Sequence, residues 1–163
     1  MQVEKNKVVG IHYTISLENN EIIYSTLGFE PEEYVHGSIS IFPAVAKALE
    51  GHIAGDELEV ILAPSKAYGV RNEKLVYQIN NNLFSDIDKF EMGEVIQIPG
   101  GQEARLIQKK DTHLLVDANH PLAGEQLQYK ITVVSIREAT DMEIKWGRTE
   151  KEISTCSGEP GCC

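Results

Sequence analysis

The stretch LQYKITVV, residues 127–134, sets Leu127, Tyr129, Ile131 and Val133 on one face and Gln128, Lys130, Thr132 and Val134 on the other. That period of two is the pattern of a half-buried strand. The same alternation opens the chain. In VVGIHYTISL (8–17), Val9, Ile11, Tyr13, Ile15 and Leu17 share a face against Gly10, His12, Thr14 and Ser16, so Tyr13 is expected to point inward. The pair Asn19-Asn20, tolerant of left-handed backbone, turns the chain into EIIYS (21–25) and predicts a hairpin. GDELEVILAP (55–64) alternates again through Leu58, Val60 and Leu62. One helix is predicted near the middle of this half. Pro43 stands at its first position, Val45, Ala48 and Leu49 follow at spacings of three and four, and Gly51 stops it. A strand-dominated α+β domain follows.

Between Val70 and Asn119 the texture changes. NNLFSDI (81–87) reads as a helical turn, and three apolar bursts follow, VIQI (95–98), ARLI (104–107) and HLLV (113–116), the first two joined by Pro99-Gly100-Gly101. The strands before this segment and LQYKITVV after it read as parts of one sheet. The expectation is a discontinuous domain, 1–69 and 120–140, interrupted by a small β-rich insert at 70–119. The pattern fades after Glu138, and 141–163 is expected to be a mobile tail, polar and Gly- or Cys-bearing from Thr149.

Composition excludes several classes. A chain of 163 residues that is 42% hydrophobic can bury a core unaided. With 25 acidic against 15 basic residues its net charge is −10, the wrong sign for a phosphate backbone, so no nucleic-acid partner is expected. No run approaches the roughly 18 apolar residues of a spanning helix, so no membrane partner is expected. The start, MQVEKNKVVG, lacks a signal-peptide pattern, and a cytoplasmic monomer is the expectation. Cys156, Cys162 and Cys163 all lie in the tail, where they cannot staple the body of the fold. Three soft thiolates could hold Zn²⁺, Ni²⁺ or Cu⁺, and the alternative is a disordered end whose thiols stay reduced. His36, His52, His113 and His120 show no metal-ligand spacing, and His120 is expected to support a turn.

The order GIHYTI (10–15), PEEYVHG (31–37), ALEGHIAGD (48–56), AYG (67–69) and NHPLAGEQLQYKITVVSIREAT (119–140) resembles the FKBP-type peptidyl-prolyl isomerases of the SlyD class. The resemblance covers essentially residues 1 to 140. It implies a small antiparallel sheet wrapped on the helix, a prolyl pocket between them, and an inserted chaperone domain held over the rim. Carried over residue by residue, it makes Tyr68 the pocket tyrosine whose hydroxyl holds a substrate carbonyl. Tyr13, Ile41, Phe42, Val45 and Tyr129 become the lining, with Ile23 at its side. Three departures stand out. Tyr24 occupies a position where the family commonly has an aspartate that orients the pocket. Val45 replaces a larger aromatic found in some relatives, and Pro43-Ala44 replaces a small polar and glycine pair. Tyr68, Tyr13 and Tyr24 are therefore the candidate catalytic positions. Tails of the class are long, His-rich and serve nickel delivery. Here no histidine follows His120 and the tail is short, so nickel handling carries over only in part, and the three cysteines are the candidate ligands for nickel or zinc.

The chemistry can be argued without the family. Rotation about an X-Pro bond meets a barrier of roughly 18–20 kcal/mol set by amide resonance, and no bond need break to cross it. An apolar, water-poor pocket that disfavours the charge-separated planar amide, plus one donor to the twisted group, suffices. No cofactor is required. Tyr13, Tyr129, Ile41 and Phe42 would otherwise read as plain core. In the insert, Val95, Ile96, Ile98, Leu106, Ile107, Leu114 and Leu115 either form its own core or offer apolar surface and open edges to extended clients. The resemblance favours the second, with the insert capturing unfolded or proline-containing polypeptides and passing them to the pocket. Two functions thus compete. One is a prolyl isomerase with built-in chaperone activity; the other is a holdase or metal-delivery chaperone with a silent pocket. Tyr24 favours the latter and the aromatic lining the former.

Overall fold

The computed structural model describes residues 1–155. They form two compact units, Met1–Ala67 with the chain from Glu125 onward, and Tyr68–Gly124 between them in sequence. In chain order the elements are β1 (Lys7–Leu17), β2 (Ile22–Ser25), β3 (Glu32–Val35), α1 (Pro43–Leu49), β4 (Glu57–Leu62), β5 (Val76–Asn80), β6 (Val95–Gln97), β7 (Glu103–Lys109), β8 (His113–Asp117), β9 (Leu127–Glu138), α2 (Asp141–Trp146) and α3 (Glu150–Thr155).

The first unit is an antiparallel sheet in the order β2-β1-β9-β4, with β3 also paired to β1. This is the strand-dominated α+β class that the alternation predicts. β1 and β9 run the length of each other from Lys7↔Glu138 to Leu17↔Leu127, so the two stretches with the clearest alternation are direct neighbours. A register shift at Gly10/Ile11 interrupts the pair. A β-carbon on Gly10 would stand 2.5 Å from Ser135 Oγ, so any larger residue there would have to turn that hydroxyl aside. Asn20, at φ 65°, makes the β1–β2 turn. The inward faces of these strands close on Val45 and Leu49 of α1 and on Val3, forming one apolar core.

The second unit is a four-stranded antiparallel sheet, β5-β8-β7-β6. The sequence pattern shows three of these strands; β5, in VYQIN, is the addition. The Pro99-Gly100-Gly101 turn joins β6 to β7, closed by Gly101 N–H donating to the Ile98 carbonyl at 3.0 Å. Burial removes four of the candidate residues from the surface. Ile96, Ile98, Leu106 and Leu114 are buried together with Ile79, Ala104 and Val116 as this unit's own core. The reason is period two again: along β7 and β8 the buried positions Ala104, Leu106, Leu114 and Val116 alternate with more accessible ones. Of the candidate surface residues, Ile107 and Leu115 are half-buried and Val95 is 49% exposed.

Of the segment 141–163 expected as a mobile tail, the described residues carry two short helices, α2 and α3. Thr140 caps α2 by a capping box with Glu143, and Gly147, in the left-handed region, closes its C-terminus. Cys156, Cys162 and Cys163 lie outside the described residues.

Candidate active site

The first unit gathers four aromatic rings along β1, β2, β9 and the start of α1. Tyr13 sits 5.5 Å from Tyr24 and 6.0 Å from Tyr129 by ring centroids, the latter stacked at 25°. Phe42 meets Tyr129 edge-on at 6.4 Å and 82°. Strand register accounts for the gathering. Ile15 is paired with both Tyr129 on β9 and Tyr24 on β2, and Tyr13 lies two residues along β1 on the same face. Phe42 is the residue that leads into α1, whose first position is Pro43.

Exposure is graded across this cluster. Val45 and Tyr129 are buried, Tyr13, Ile23, Ile41 and Phe42 are half-buried against the core, and Tyr24 is 50% exposed. A plain core would bury all of them; here the outer rings stay partly open, as the wall of a cleft requires. Tyr13 is thus only partly inward. Its hydroxyl donates to Glu32 Oε2 at 2.5 Å, and burial together with that carboxylate drives the phenol well above its ordinary range, so it stays protonated. Tyr24 and Glu32 also line a groove of about 560 Å³ that continues past Phe29 and Pro31 to Thr149 and Lys151, and Lys151 pairs with Glu30.

Tyr68 lies in the second unit. Its ring stacks on the His120 imidazole with centroids 4.1 Å apart and planes 4° from parallel. Leu122 N–H donates to His120 Nδ1 at 3.1 Å, which leaves the ring proton on Nε2. Gly69, at φ 88°, turns the chain directly after Tyr68, and its carbonyl accepts from Gly124 N–H at 2.9 Å. His120 therefore supports the turn Leu122 belongs to and also holds the tyrosine ring.

Glu32 and the ring partnership of His120 were not among the candidates read from the sequence. PEEY and NHPLAG contain both residues, but each contact depends on bringing separate parts of the chain side by side. Among the described residues, no three or more His, Cys, Asp or Glu side chains are grouped to hold a metal ion. No described helix is long and apolar enough to cross a membrane.

Residues 1–110 match the model of the FKBP-type peptidyl-prolyl cis-trans isomerases. The chain belongs to that family, within its SlyD class, and is a peptidyl-prolyl cis-trans isomerase. It is 34% identical over 170 residues to the FKBP-type peptidyl-prolyl cis-trans isomerase SlyD of Escherichia coli strain K12, spanning 100% of this chain and 86% of that relative. The SlyD proteins of Yersinia pestis and Vibrio cholerae are 33% and 30% identical, each over 100% of this chain and 86% of their own length. The reaction acts on proline-containing polypeptides and needs no cofactor, since rotation about the amide breaks no bond.

Proposed function

We propose that the chain accelerates X-Pro rotation in unfolded or partly folded proteins and that it holds those clients itself. The prolyl ring is received by the cluster of Tyr13, Ile23, Ile41, Phe42, Val45 and Tyr129. Tyr68 donates to a substrate carbonyl, a role that rests on the place of AYG in the family order. The graded exposure of the cluster carries this reading. Val45 and Tyr129 form a water-poor floor while Tyr13, Phe42 and Tyr24 stay partly accessible. An apolar environment disfavours the planar, charge-separated amide relative to the twisted one, and binding that is stronger in the twisted state is what speeds rotation.

The holding role falls to the second unit. It draws support from the sheet's two open edges, β5 and β6, and from the exposed apolar residues Val70, Leu83, Met92 and Val95. An unpaired edge offers backbone donors and acceptors to an extended chain without reading its sequence. The test compares a proline-limited refolding protein with a short X-Pro peptide as substrates. Combined Leu83→Glu, Met92→Glu and Val95→Glu should lower catalysis of refolding several-fold and leave peptide kcat/KM unchanged. Equal effects on both substrates would remove the second unit from client binding.

A further inference from the structure

Tyr13 occupies a junction. On one edge of β1, β2 pairs with residues 14–16 and β3 with residues 8–11, so Tyr13 lies in the gap between the two short strands. Tyr24 is paired with Ile15 and Glu32 with Ile11. Residues directly opposite each other share a face, and residues two apart on a strand do too. Positions 24 and 32 therefore flank Tyr13 symmetrically, each one diagonal step away on its own face of the sheet. A carboxylate could reach the Tyr13 hydroxyl from either side.

We propose that Glu32 is the positioning residue of the prolyl cleft, supplying from β3 the carboxylate that position 24 of this chain, a tyrosine, does not. The inference rests on the reading of the aromatic cluster as the cleft. Tyr13 donates to Glu32 Oε2 at 2.5 Å, the length expected of a charge-assisted O–H···O⁻ bond. A phenol on a strand can otherwise turn about its two side-chain torsions. Anchored at its hydroxyl, the Tyr13 ring keeps its stacking on Tyr129 and its contact with Tyr24. Position 24 is thereby released from carboxylate duty and adds an aromatic ring to the outer wall. The absence of the usual aspartate then costs the cleft no anchor.

The experiment measures protease-free isomerisation of a short X-Pro peptide by Glu32→Ala, Tyr24→Asp and the double variant, with thermal melting and the alkaline titration of the Tyr13 phenol read in parallel. Glu32→Ala should lose about fivefold in kcat/KM, in keeping with a hydrogen bond to a charged but solvent-accessible group, at unchanged melting temperature. The Tyr13 phenol should titrate at lower pH. Adding Tyr24→Asp to Glu32→Ala should restore both the rate and the phenol titration, which a merely structural role for Glu32 would not produce. Unchanged kcat/KM in Glu32→Ala, or a loss that Tyr24→Asp does not recover, would overturn the proposal. Phe42→Ala and Tyr129→Ala separate it from the cleft reading. If both leave kcat/KM intact, the cleft is elsewhere and both fail; if both are impaired while Glu32→Ala is not, Glu32 alone fails.

Discussion

Glu143, 0% exposed in the first turn of α2, accepts two 2.8 Å hydrogen bonds from the guanidinium of Arg137 at the end of β9. The backbone N–H groups of Thr140 and Glu150 donate to the same carboxylate at 3.0 and 2.9 Å. A buried anion is tolerable only when its lone pairs are met in this way. One side chain thus fastens β9, α2 and the start of α3 together.

The Arg137 hydrogen bonds, aided by the two N–H donors and opposed by burial, hold the Glu143 carboxyl at about 2, against an ordinary 4.5. A group whose folded pKa is depressed contributes stability above its unfolded value and loses it as pH falls through the folded one. The first unit should therefore lose about 3 kcal/mol between pH 4.5 and 2 from this group alone, each pKa unit being worth ~1.4 kcal/mol. Glu143→Gln should cost about 2–3 kcal/mol near neutrality, because Arg137 is partly exposed and can be rehydrated, and should flatten the acid limb. Denaturant titrations of both proteins across that range check it. An acid limb of equal slope in the variant would show that other carboxylates govern it.

The Tyr68–His120 stack predicts a difference between two replacements. His120→Ala should lower peptide kcat/KM about threefold, an aromatic pair being worth roughly 0.5–1.5 kcal/mol, whereas His120→Phe should keep most of the rate. The upfield ring-current shift of the Tyr68 protons should vanish in the first and persist in the second. Equal rates in both variants would detach Tyr68 from the stack's control.

Burial in the second unit sets core against surface. Leu106→Ala and Leu114→Ala should each destabilise that unit by about 2–5 kcal/mol, the cost of a cavity in a packed core. Val95→Glu should change stability by no more than about 0.5 kcal/mol and act only on client binding. Chemical denaturation followed by the Tyr77 environment, which packs on that core, distinguishes them.

Exhaustive chelation should leave peptide isomerisation unchanged, since no step of amide rotation needs a metal. Replacing Cys156, Cys162 and Cys163 by alanine should do the same while changing any zinc or nickel stoichiometry the thiols set. Loss of isomerisation on chelation would overturn the metal-free account.

Much of the fold was legible because both long strands announce themselves by alternation. Leu127, Tyr129, Ile131 and Val133 on β9 are buried as period two requires, whereas on β1 Val9, Ile11 and Ile15 are joined by Val8 and Ser16 of the other face. Pro43 and Gly51 bracket α1 within a residue or two. What escaped had physical reasons. The apolar residues of VIQI, ARLI and HLLV looked too numerous for a three-strand module. The added strand β5 supplies Ile79 and gives them something to pack on. α2 carries its capping box openly, Thr140 followed three residues later by Glu143, but at six residues it is too short to show an apolar periodicity beside it. Of the proposed site, the candidate residues Tyr13, Tyr24, Phe42 and Tyr129 came from family order, and the structure sets their rings side by side. The Tyr13–Glu32 bond was not, because it depends on which residue of β3 faces Ile11, and a one-residue slip would turn Glu32 to the other side.

The position of β9 also orders events during synthesis. It lies between β1 and β4, and every one of its partners is made before residue 68 emerges. Until Leu127–Glu138 leaves the ribosome, β1 and β4 have no common neighbour and the first core lacks Leu127, Tyr129, Ile131 and Val133. The second unit pairs only strands within Val76–Asp117 and can close as soon as they are out. During translation the inserted module can thus be complete while the catalytic module still lacks the strand that joins β1 to β4.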